Sequence, residues 1–345
     1  MYFALLLLLL LAALCLRYLT VRARLARFDT PSLASPLPPS LSIDGVEAFL
    51  ESREQLAAPL KPSCASSVRW AAGERTRRRV AVVFLHGFSA SPRECDPLDA
   101  RLALHLSAHL LRYRLSSHAL SPAPRAALAL RDALSRDALL ADAAAAFALG
   151  LLLGEQVVLV GCSTGGTLAT WLGAQPWAAP RLGALLLVSP AYGLAKVSAP
   201  VYDALKWLVV MLPRAGRRAL FRAIAGEEYR VPVVDELQAA LWTMAYPTEA
   251  VAHCIELYLS IEVGVDMRRI SVPTLAMANP MDKVVDFKRT ERNIKRMPRG
   301  SLEVITDSEM AHNITGPLSP STVPFCVARA TDFVRRALEE GGHEK

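Results

Sequence analysis

The sequence lacks paired cysteine spacing, internal repeats and motifs for binding nucleic acid. Its six cysteines are scattered, so neither a disulfide framework nor a zinc site is predicted. They are Cys15, Cys64, Cys95, Cys162, Cys254 and Cys326. No internal repeat is apparent, so a repeat architecture is not indicated. Arginine clusters at residues 75–79 and 214–222 match no recognised nucleic-acid-binding motif, and nucleic acid is therefore not expected as a partner. We interpret the net charge of +7 as a solvated basic surface, or as one that attracts anionic lipid headgroups.

The amino terminus lacks two features of a secretory signal peptide. No basic residue precedes the apolar run of residues 1–16, and the possible cleavage site is poor. Arginines follow the run, beginning at Arg17. We therefore interpret residues 1–21 as an uncleaved, single-pass membrane anchor, with the rest of the protein on the cytoplasmic side. Residues 22–64 are interpreted as a basic stretch and linker region, whose proline- and serine-rich part, residues 29–40, stays extended.

Apolar runs typical of buried strands alternate with helical patterns along the rest of the chain. This alternation predicts an α/β fold with a mostly parallel sheet and helices on both faces. Strands are predicted near residues 80–85, 110–115, 157–160, 184–188, 274–278 and 301–305. Helices are predicted at residues 137–153, 165–174, 287–297 and 321–338.

One long interval, from about residue 191 to residue 270, interrupts this alternation. Eighty residues are too many for a loop, and the apolar spacing in three stretches favours helices. These stretches are residues 201–212, 215–225 and 234–263. The interval is therefore predicted to be a helical cap. Its Trp207 and Trp242 either line an acyl pocket or, individually more often, anchor the cap to the core.

The apolar run at residues 157–160 ends in the sequence GCSTGG, which fits the G-x-S-x-G pattern. This pattern forms a sharp strand-to-helix turn that exposes a serine hydroxyl at the edge of the sheet. The glycines on either side are needed because a Cβ there would collide with a neighbouring strand or helix. Ser163 is therefore the predicted nucleophile. Tight packing of a glycine-rich turn is the structural alternative.

A serine nucleophile needs a histidine base and a carboxylate that orients it, and on this type of sheet they follow the serine in the order acid, then histidine. Of the seven histidines, only His312 and His343 come late enough, and His343 lies in a polar terminus. His312 is therefore the predicted base. Asp282 follows the predicted strand at residues 274–278 and is the predicted acid, whereas Asp286 is expected to cap the next helix.

Acyl transfer also needs preorganised donors for the developing oxyanion. In this architecture one donor is the backbone N–H after the nucleophile, here that of Thr164. The second comes from the loop after an earlier strand, and the predicted strand at residues 80–85 continues into HGFS. The N–H of Phe88 is therefore the predicted second donor. A simple turn at His86 and Gly87 is the structural alternative.

These motifs together resemble the α/β-hydrolase superfamily, in particular its carboxylesterase and monoacylglycerol-lipase-like branch, which is related to the serine aminopeptidases. The resemblance rests on residues 85–89, 161–166, 273–282 and 311–313, and covers roughly residues 65–340. It implies a hydrolase domain of that extent. One departure is the sequence Ser117-His118-Ala119, where many relatives have Gly-His-Gly, so the loop there is expected to differ in shape.

The residues and the resemblance together predict a membrane-anchored serine hydrolase that cleaves carboxylic esters with apolar acyl groups through an acyl-enzyme. Ser163, His312 and Asp282 form the predicted triad, and Phe88 and Thr164 the predicted oxyanion hole. No cofactor or metal is required. An amide or peptide hydrolase, an acyltransferase, and a catalytically inactive scaffold with this fold remain the alternatives.

Overall fold

The computed structural model describes residues 2–28, 36–195 and 197–343. Its strands, in chain order, are β1 (Ser67–Arg69), β2 (Arg78–Leu85), β3 (His109–Tyr113), β4 (Gly154–Cys162), β5 (Leu182–Val188), β6 (Glu228–Arg230), β7 (Ala245–Pro247), β8 (Thr274–Ala278) and β9 (Gly300–Val304). Seven of them form one sheet in the order β1-β3-β2-β4-β5-β8-β9. Only β1 runs antiparallel to its neighbour in this sheet, so the predicted mostly parallel sheet is confirmed.

The helices cover both faces of this sheet. In chain order they are α1 (Tyr2–Ala26), α2 (Val46–Ala57), α3 (Leu98–His105), α4 (Ala123–Asp132), α5 (Arg136–Leu153), α6 (Thr164–Gly173), α7 (Ala199–Met211), α8 (Arg214–Ala225), α9 (Glu236–Leu241), α10 (Val251–Gly264), α11 (Phe287–Arg296) and α12 (Val323–His343). The sequence boundaries agree with the corresponding elements to within a few residues, except that α12 extends beyond its predicted end.

The central strands are apolar without interruption because both of their faces are buried. Successive side chains of a strand point to opposite faces, so the sheet separates two apolar cores. Val83 belongs to the core shared with helices α5 and α6, whereas its neighbour Val82 belongs to the core shared with α3 and α12. Both residues are fully buried. This packing fixes the carboxyl ends of β2, β4 and β8 at one edge of the sheet.

The cap consists of helices α7 to α10 and a small two-stranded antiparallel sheet of β6 and β7, which α9 separates in the sequence. The predicted helical stretch at residues 234–263 is therefore not continuous, which corrects the sequence interpretation. Asp235 caps α9 by accepting a hydrogen bond from the Gln238 N–H (2.6 Å). Pro247 ends β7 and lacks the N–H that a helix running through this position would need. The apolar spacing of the stretch is thus divided between two helices and a strand.

The carboxyl half of α1 is packed against the cap and the core. Leu25 is fully buried beside Val210 of α7 and Leu259 of α10. The buried guanidinium of Arg136, at the start of α5, donates to the carbonyls of Arg24 (3.1 Å) and Leu25 (3.4 Å). These bonds satisfy carbonyl groups that have no partner within a helix at its carboxyl end. The end of α1 is therefore part of the folded domain.

Helix α2 lies in the region that the sequence predicts to be a linker. Val46 and Leu50 are buried in the core that also contains α5 and α6. The packed domain therefore begins before the predicted boundary at residue 65, because apolar side chains of α2 pack into the core. Residues 29–35, in the stretch predicted to stay extended, lie outside the described residues.

The described part of the chain contains no helix that is both long enough and apolar enough to cross a membrane. The anchor predicted at residues 1–21 is therefore not confirmed. Met1 and the side chains of residues 2–10 lie outside the described part of the structure.

Candidate active site

Ser163 occupies the sharp turn between β4 and α6. Its backbone has φ 51° and ψ −117°, a combination that residues with a side chain rarely adopt. The turn is fixed on both sides, since the Ser163 N–H donates to the Val188 carbonyl (2.9 Å) and the Ser163 carbonyl accepts from the Ala191 N–H (3.1 Å). Strained backbone that the surroundings hold in place is typical of functional sites. Ser163 itself is 7 % exposed, so the site is almost closed.

The flanking glycines are needed for this turn. A Cβ on Gly161 would overlap the Gly165 carbonyl, and a Cβ on Gly165 would overlap the carbonyl of Leu85 in β2. Backbone atoms cannot move away as the end of a flexible side chain can. The G-x-S-x-G spacing thus allows α6 to approach β2 and β4 closely.

Asp282 and His312 form a hydrogen-bonded pair after the ends of β8 and β9. His312 Nδ1 lies 2.7 Å from Asp282 Oδ2, while Asp282 Oδ1 accepts the N–H groups of Val284 (2.7 Å) and Val285 (3.1 Å). Burial alone would lower the pKa of His312, but the charge and hydrogen bond of Asp282, with the charge of Glu94, raise it above the usual value. The pair is therefore arranged to favour an imidazolium.

His312, the predicted base, is also held through its backbone. Ser189, directly after β5, donates its hydroxyl to the His312 carbonyl (2.7 Å). Because the preceding residue, Val188, accepts the Ser163 N–H, the same turn contacts both the serine and the histidine segments. In the described part of the chain the Ser163 hydroxyl makes no hydrogen bond. Such bonds are often absent without substrate and form only in the Michaelis complex.

The two alternative residues are placed differently. Asp286 caps α11, since its Oδ1 accepts the N–H groups of Lys288 (2.9 Å) and Arg289 (3.3 Å). This is the role that the sequence predicts. The side chain of His343 lies outside the described part of the structure.

The predicted oxyanion donors lie at the ends of adjacent strands. Phe88 follows β2 and Thr164 follows β4, and these strands pair in parallel up to Leu85 and Gly161. Thr164 is the first residue of α6, so its N–H has no partner within the helix. Within residues 2–28, 36–195 and 197–343, neither this N–H nor that of Phe88 has an acceptor. Both donors are thus available to a ligand.

A helix and a loop of the cap contact the segments that carry these donors. The Tyr258 hydroxyl of α10 lies 2.9 Å from the Thr164 Oγ1, and the Thr243 N–H donates to the Ser89 carbonyl (2.7 Å). The Phe88 ring packs edge-on against Tyr246, with ring centroids 5.1 Å apart. The cap therefore contacts both segments of the predicted oxyanion hole. Sequence reasoning missed Tyr258, which no motif marks.

Glu94 is a further carboxylate beside the predicted triad, and sequence reasoning missed it as well. Glu94 is 3 % exposed, and its Oε2 accepts the Gly87 N–H at 2.6 Å. Its Oε1 accepts from the side-chain amide of Asn313, the residue after His312, at 3.2 Å. Neither periodicity nor a known motif distinguishes Glu94 in the sequence, because its burial depends on how the loop after β2 folds over the site.

The loop with Ser117-His118-Ala119 in place of Gly-His-Gly has an unusual backbone conformation. Ser117 and Ala119 have φ of 66° and 56°, in the region that glycine favours. Between them, the buried His118 packs edge-on against Phe88, with ring centroids 5.8 Å apart. Burial lowers the pKa of His118 to about 4, so this imidazole is neutral at neutral pH. It supports the Phe88 loop as an uncharged side chain.

No group of three or more His, Cys, Asp or Glu side chains is placed to hold a metal ion among the residues that the structure describes. Trp207 packs among apolar residues of α1, α7 and α10, whereas Trp242 is buried against the loops that carry Ala90 and Leu318. Both tryptophans therefore anchor the cap, as the sequence favours for each of them individually.

Comparison with known proteins agrees with this fold. A family model described as the alpha/beta hydrolase family matches residues 82–312, which is more than half of the chain. No curated protein sequence matches the chain.

Among solved structures, the chain is similar to one described with the metagenome-derived lipolytic enzymes LipS and LipT, with 18% identity, a TM-score of 0.58, and 81% of this chain and 100% of that chain covered. It is also similar to the monoacylglycerol lipase of Paleococcus ferrophilus, with 15% identity, a TM-score of 0.53, and 78% and 98% covered. A third is Est1E of Butyrivibrio proteoclasticus with bound ferulic acid, with 14% identity, a TM-score of 0.51, and 82% and 100% covered. At these identities the likeness establishes the fold alone.

Proposed function

Since the chain belongs to the α/β-hydrolase family, we propose that it is a serine hydrolase that cleaves carboxylic esters with apolar acyl groups. The observation that carries this proposal is the 2.7 Å Asp282–His312 hydrogen bond at the sheet edge where Ser163 occupies its strained turn. An Asp–His pair of this kind orients the imidazole and stabilises its protonated form. An aspartate that only capped a helix would not need this bond to a histidine, and a serine in a turn that was only tightly packed would not need a hydrogen-bonded Asp–His pair beside it.

In the proposed reaction, Ser163 Oγ attacks the ester carbonyl while His312 Nε2 takes the serine proton. Asp282 holds His312 through Nδ1, so that Nε2 is the nitrogen that exchanges protons. The N–H groups of Phe88 and Thr164 stabilise the oxyanion. His312 then protonates the leaving alcohol, and a water molecule, activated by the same histidine, hydrolyses the acyl-enzyme.

The choice of substrate is supported by the cap and by the structural neighbours. The Phe88 and Tyr246 rings lie directly beside the proposed oxyanion hole, and apolar walls favour an apolar acyl chain. The similar structures are described as lipolytic enzymes, a monoacylglycerol lipase and a protein with bound ferulic acid. We therefore propose a carboxylesterase or monoacylglycerol-lipase-like activity.

Attachment to a membrane through α1, with the hydrolase domain on the cytoplasmic side, is part of the proposal. It is supported by the apolar residues 1–16 and the arginines that follow them. Leu11, Leu14, Leu16 and Leu19 are exposed on α1. A helix with apolar side chains around its circumference is typical of a buried or membrane-embedded segment.

A substrate panel tests the proposed activity. p-Nitrophenyl esters, monoacylglycerols and aminoacyl amides are offered to the wild type, to Ser163→Ala and to Ser301→Ala, in which an exposed serine of β9 is replaced. We expect ester turnover by the wild type and by Ser301→Ala, and none above background by Ser163→Ala. Turnover of amides but not of esters would reject the ester proposal. Undiminished turnover by Ser163→Ala would reject the nucleophile.

A further inference from the structure

Glu94 is a buried carboxylate without a cationic side chain beside it. The other buried acids outside the triad each pair with an arginine in the structure. These are Glu54 with Arg114, Asp99 with Arg112 (2.6 Å), Asp142 with Arg53 (3.1 Å) and Glu256 with Arg24 (2.8 Å). Within the described residues, no lysine or arginine forms an ion pair with Glu94. A buried charge normally needs such a partner, so its absence needs a physical explanation.

The position of Glu94 supplies one. A Cβ built on Gly87 would lie 3.0 Å from the Ser163 Cβ and 3.1 Å from Glu94 Oε1. The nucleophile and the carboxylate therefore both approach Gly87 at the position that a side chain would occupy. Its second neighbour, Asn313, directly follows His312. Glu94 thus contacts both the loop of the oxyanion donor Phe88 and the loop of the base.

The groups around Glu94 suit the ionised form. The backbone N–H of Gly87 and the side-chain NH₂ group of Asn313 both donate hydrogen bonds to it, and the Cys162 thiol lies nearby at the end of β4. Burial is the largest influence and leaves the pKa of Glu94 above its usual value, although these groups and the charge of His312 lower it in part.

The remaining titratable neighbours complete the charge environment. Cys95, next to Glu94, contacts Cys162, and its thiol also faces Asp99 and Arg112. The charges of both Asp282 and Glu94 act on His312. The charged group that His312 presents to Glu94 exists only when the imidazole is protonated. The reaction forms that state when Ser163 gives up its proton.

We propose that Glu94 is a second carboxylate of the site, which stays ionised, stabilises the His312 imidazolium through space, and holds the Phe88 loop through the Gly87 N–H. This inference rests on the proposed function for its role in turnover. Glu94 itself takes no proton in the reaction: the proton moves from Ser163 to His312 and then to the leaving alcohol. Glu94 is therefore a positioning residue that acts through His312 and Gly87.

The Glu94→Gln variant separates charge from shape, because glutamine keeps an oxygen that accepts the Gly87 N–H and loses the charge. The readout is the NMR titration of the His312 ring carbon in histidine-labelled protein, which needs no substrate. We expect the midpoint to fall by about 0.5 to 1 pH unit, because a nearby negative charge favours the imidazolium. The acid limb of kcat/KM for a responsive ester should fall by the same amount, with a lower kcat and little change in KM.

Glu303→Gln is the matched control. Glu303 lies on β9 and pairs with Arg329 of α12, so its replacement should leave the His312 midpoint unchanged. An unchanged midpoint in folded Glu94→Gln would overturn the proposal, even if activity were lost. If Glu94→Gln does not fold, the carboxyl carbon of Glu94 is followed by NMR in the wild type and assigned with Glu94→Asp. A protonated carboxyl at pH 7 would overturn the proposal, and an ionised one is expected. Absence of ester turnover would count against the proposed function, without affecting either NMR result.

Discussion

The carboxyl edge of the sheet and the cap over it contribute to the site in different ways. At the sheet edge, each proposed catalytic group lies in a turn that follows a buried strand: Phe88 after β2, Ser163 after β4 and Asp282 after β8. The cap contributes contacts between distant segments, such as Tyr258 with Thr164 and Thr243 with Ser89. The ends of the strands thus position the proposed catalytic groups, whereas tertiary packing of the cap positions the residues that support them.

This difference has an energetic counterpart. The strained turn at Ser163 is fixed by backbone hydrogen bonds and by glycines that no other residue can replace without collision. The cap is attached by apolar anchors and a small number of polar contacts. We therefore expect changes at the sheet edge to affect catalysis strongly, and changes in the cap to affect it less.

The largest effect should come from the acid at the sheet edge. Asp282→Asn should reduce kcat by about 10⁴-fold, as in the serine-protease triad, because asparagine favours the wrong tautomer of the histidine. Asp286→Asn is the matched control, since Asp286 caps α11, and it should change kcat by less than about tenfold. Steady-state kinetics on one ester checks both. A larger loss of kcat in Asp286→Asn than in Asp282→Asn would show that Asp282 is not the acid that orients His312.

Truncation of α1, which packs against the cap, should mainly affect stability. Removing residues 2–28 takes Leu25 from its site between α7 and α10, and loss of a buried leucine typically costs about 2 to 5 kcal/mol. Removing residues 2–14 keeps this contact, together with the 2.6 Å bond from Arg17 to the Met211 carbonyl. Thermal unfolding should therefore show a clearly lower Tm only for the longer deletion. Equal Tm values would show that α1 contributes nothing to the domain.

The same pair of truncations examines attachment to membranes. The full chain should stay in the membrane pellet after high-salt and carbonate washing, because burial of apolar side chains is not screened by salt. The chain that lacks residues 2–14 should be released. Release of the full chain by salt alone would reject the proposed anchor.

A smaller effect is expected for the polar contact between cap and oxyanion hole. Tyr258→Phe removes the hydroxyl bonded to Thr164, and a buried hydrogen bond contributes about 1 kcal/mol. We expect kcat to fall about fivefold at nearly constant KM, because the affected N–H acts on the transition state. Tyr18→Phe, on the outer side of the cap beside Trp207, is the control. If both variants behave alike, the cap does not position Thr164.

The pH dependence should show the smallest but most specific effect. The base must be neutral to accept the serine proton, so kcat/KM rises as pH rises through the pKa of His312. Because Asp282 and Glu94 raise this pKa against the effect of burial, the midpoint should lie above about 6.5. A midpoint below that value would mean that burial outweighs the two carboxylates.

The same comparison explains what the sequence could predict. The predictions for Ser163, Asp282 and His312 rest on strand patterns, turn residues and chain order, which can be read directly from the sequence. The break in the cap at β7 was missed because its apolar spacing also fits a helix, and its true form depends on Asp235 and Pro247. Glu94 and Tyr258 carry no local signal: one is an acid in a loop and the other a tyrosine in an apolar helix. Their partners, Gly87 and Thr164, belong to recognised motifs, but those motifs do not indicate which side chains will contact them.

The central claim, that Ser163 is an activated nucleophile, can be tested by mapping covalent labelling. The wild-type protein is incubated with a fluorophosphonate probe, digested, and analysed by peptide mass spectrometry. The account predicts a single adduct on Ser163, no adduct in Ser163→Ala, and much slower labelling in His312→Ala. An adduct on another residue, or the absence of labelling in well-folded wild-type protein, would contradict it.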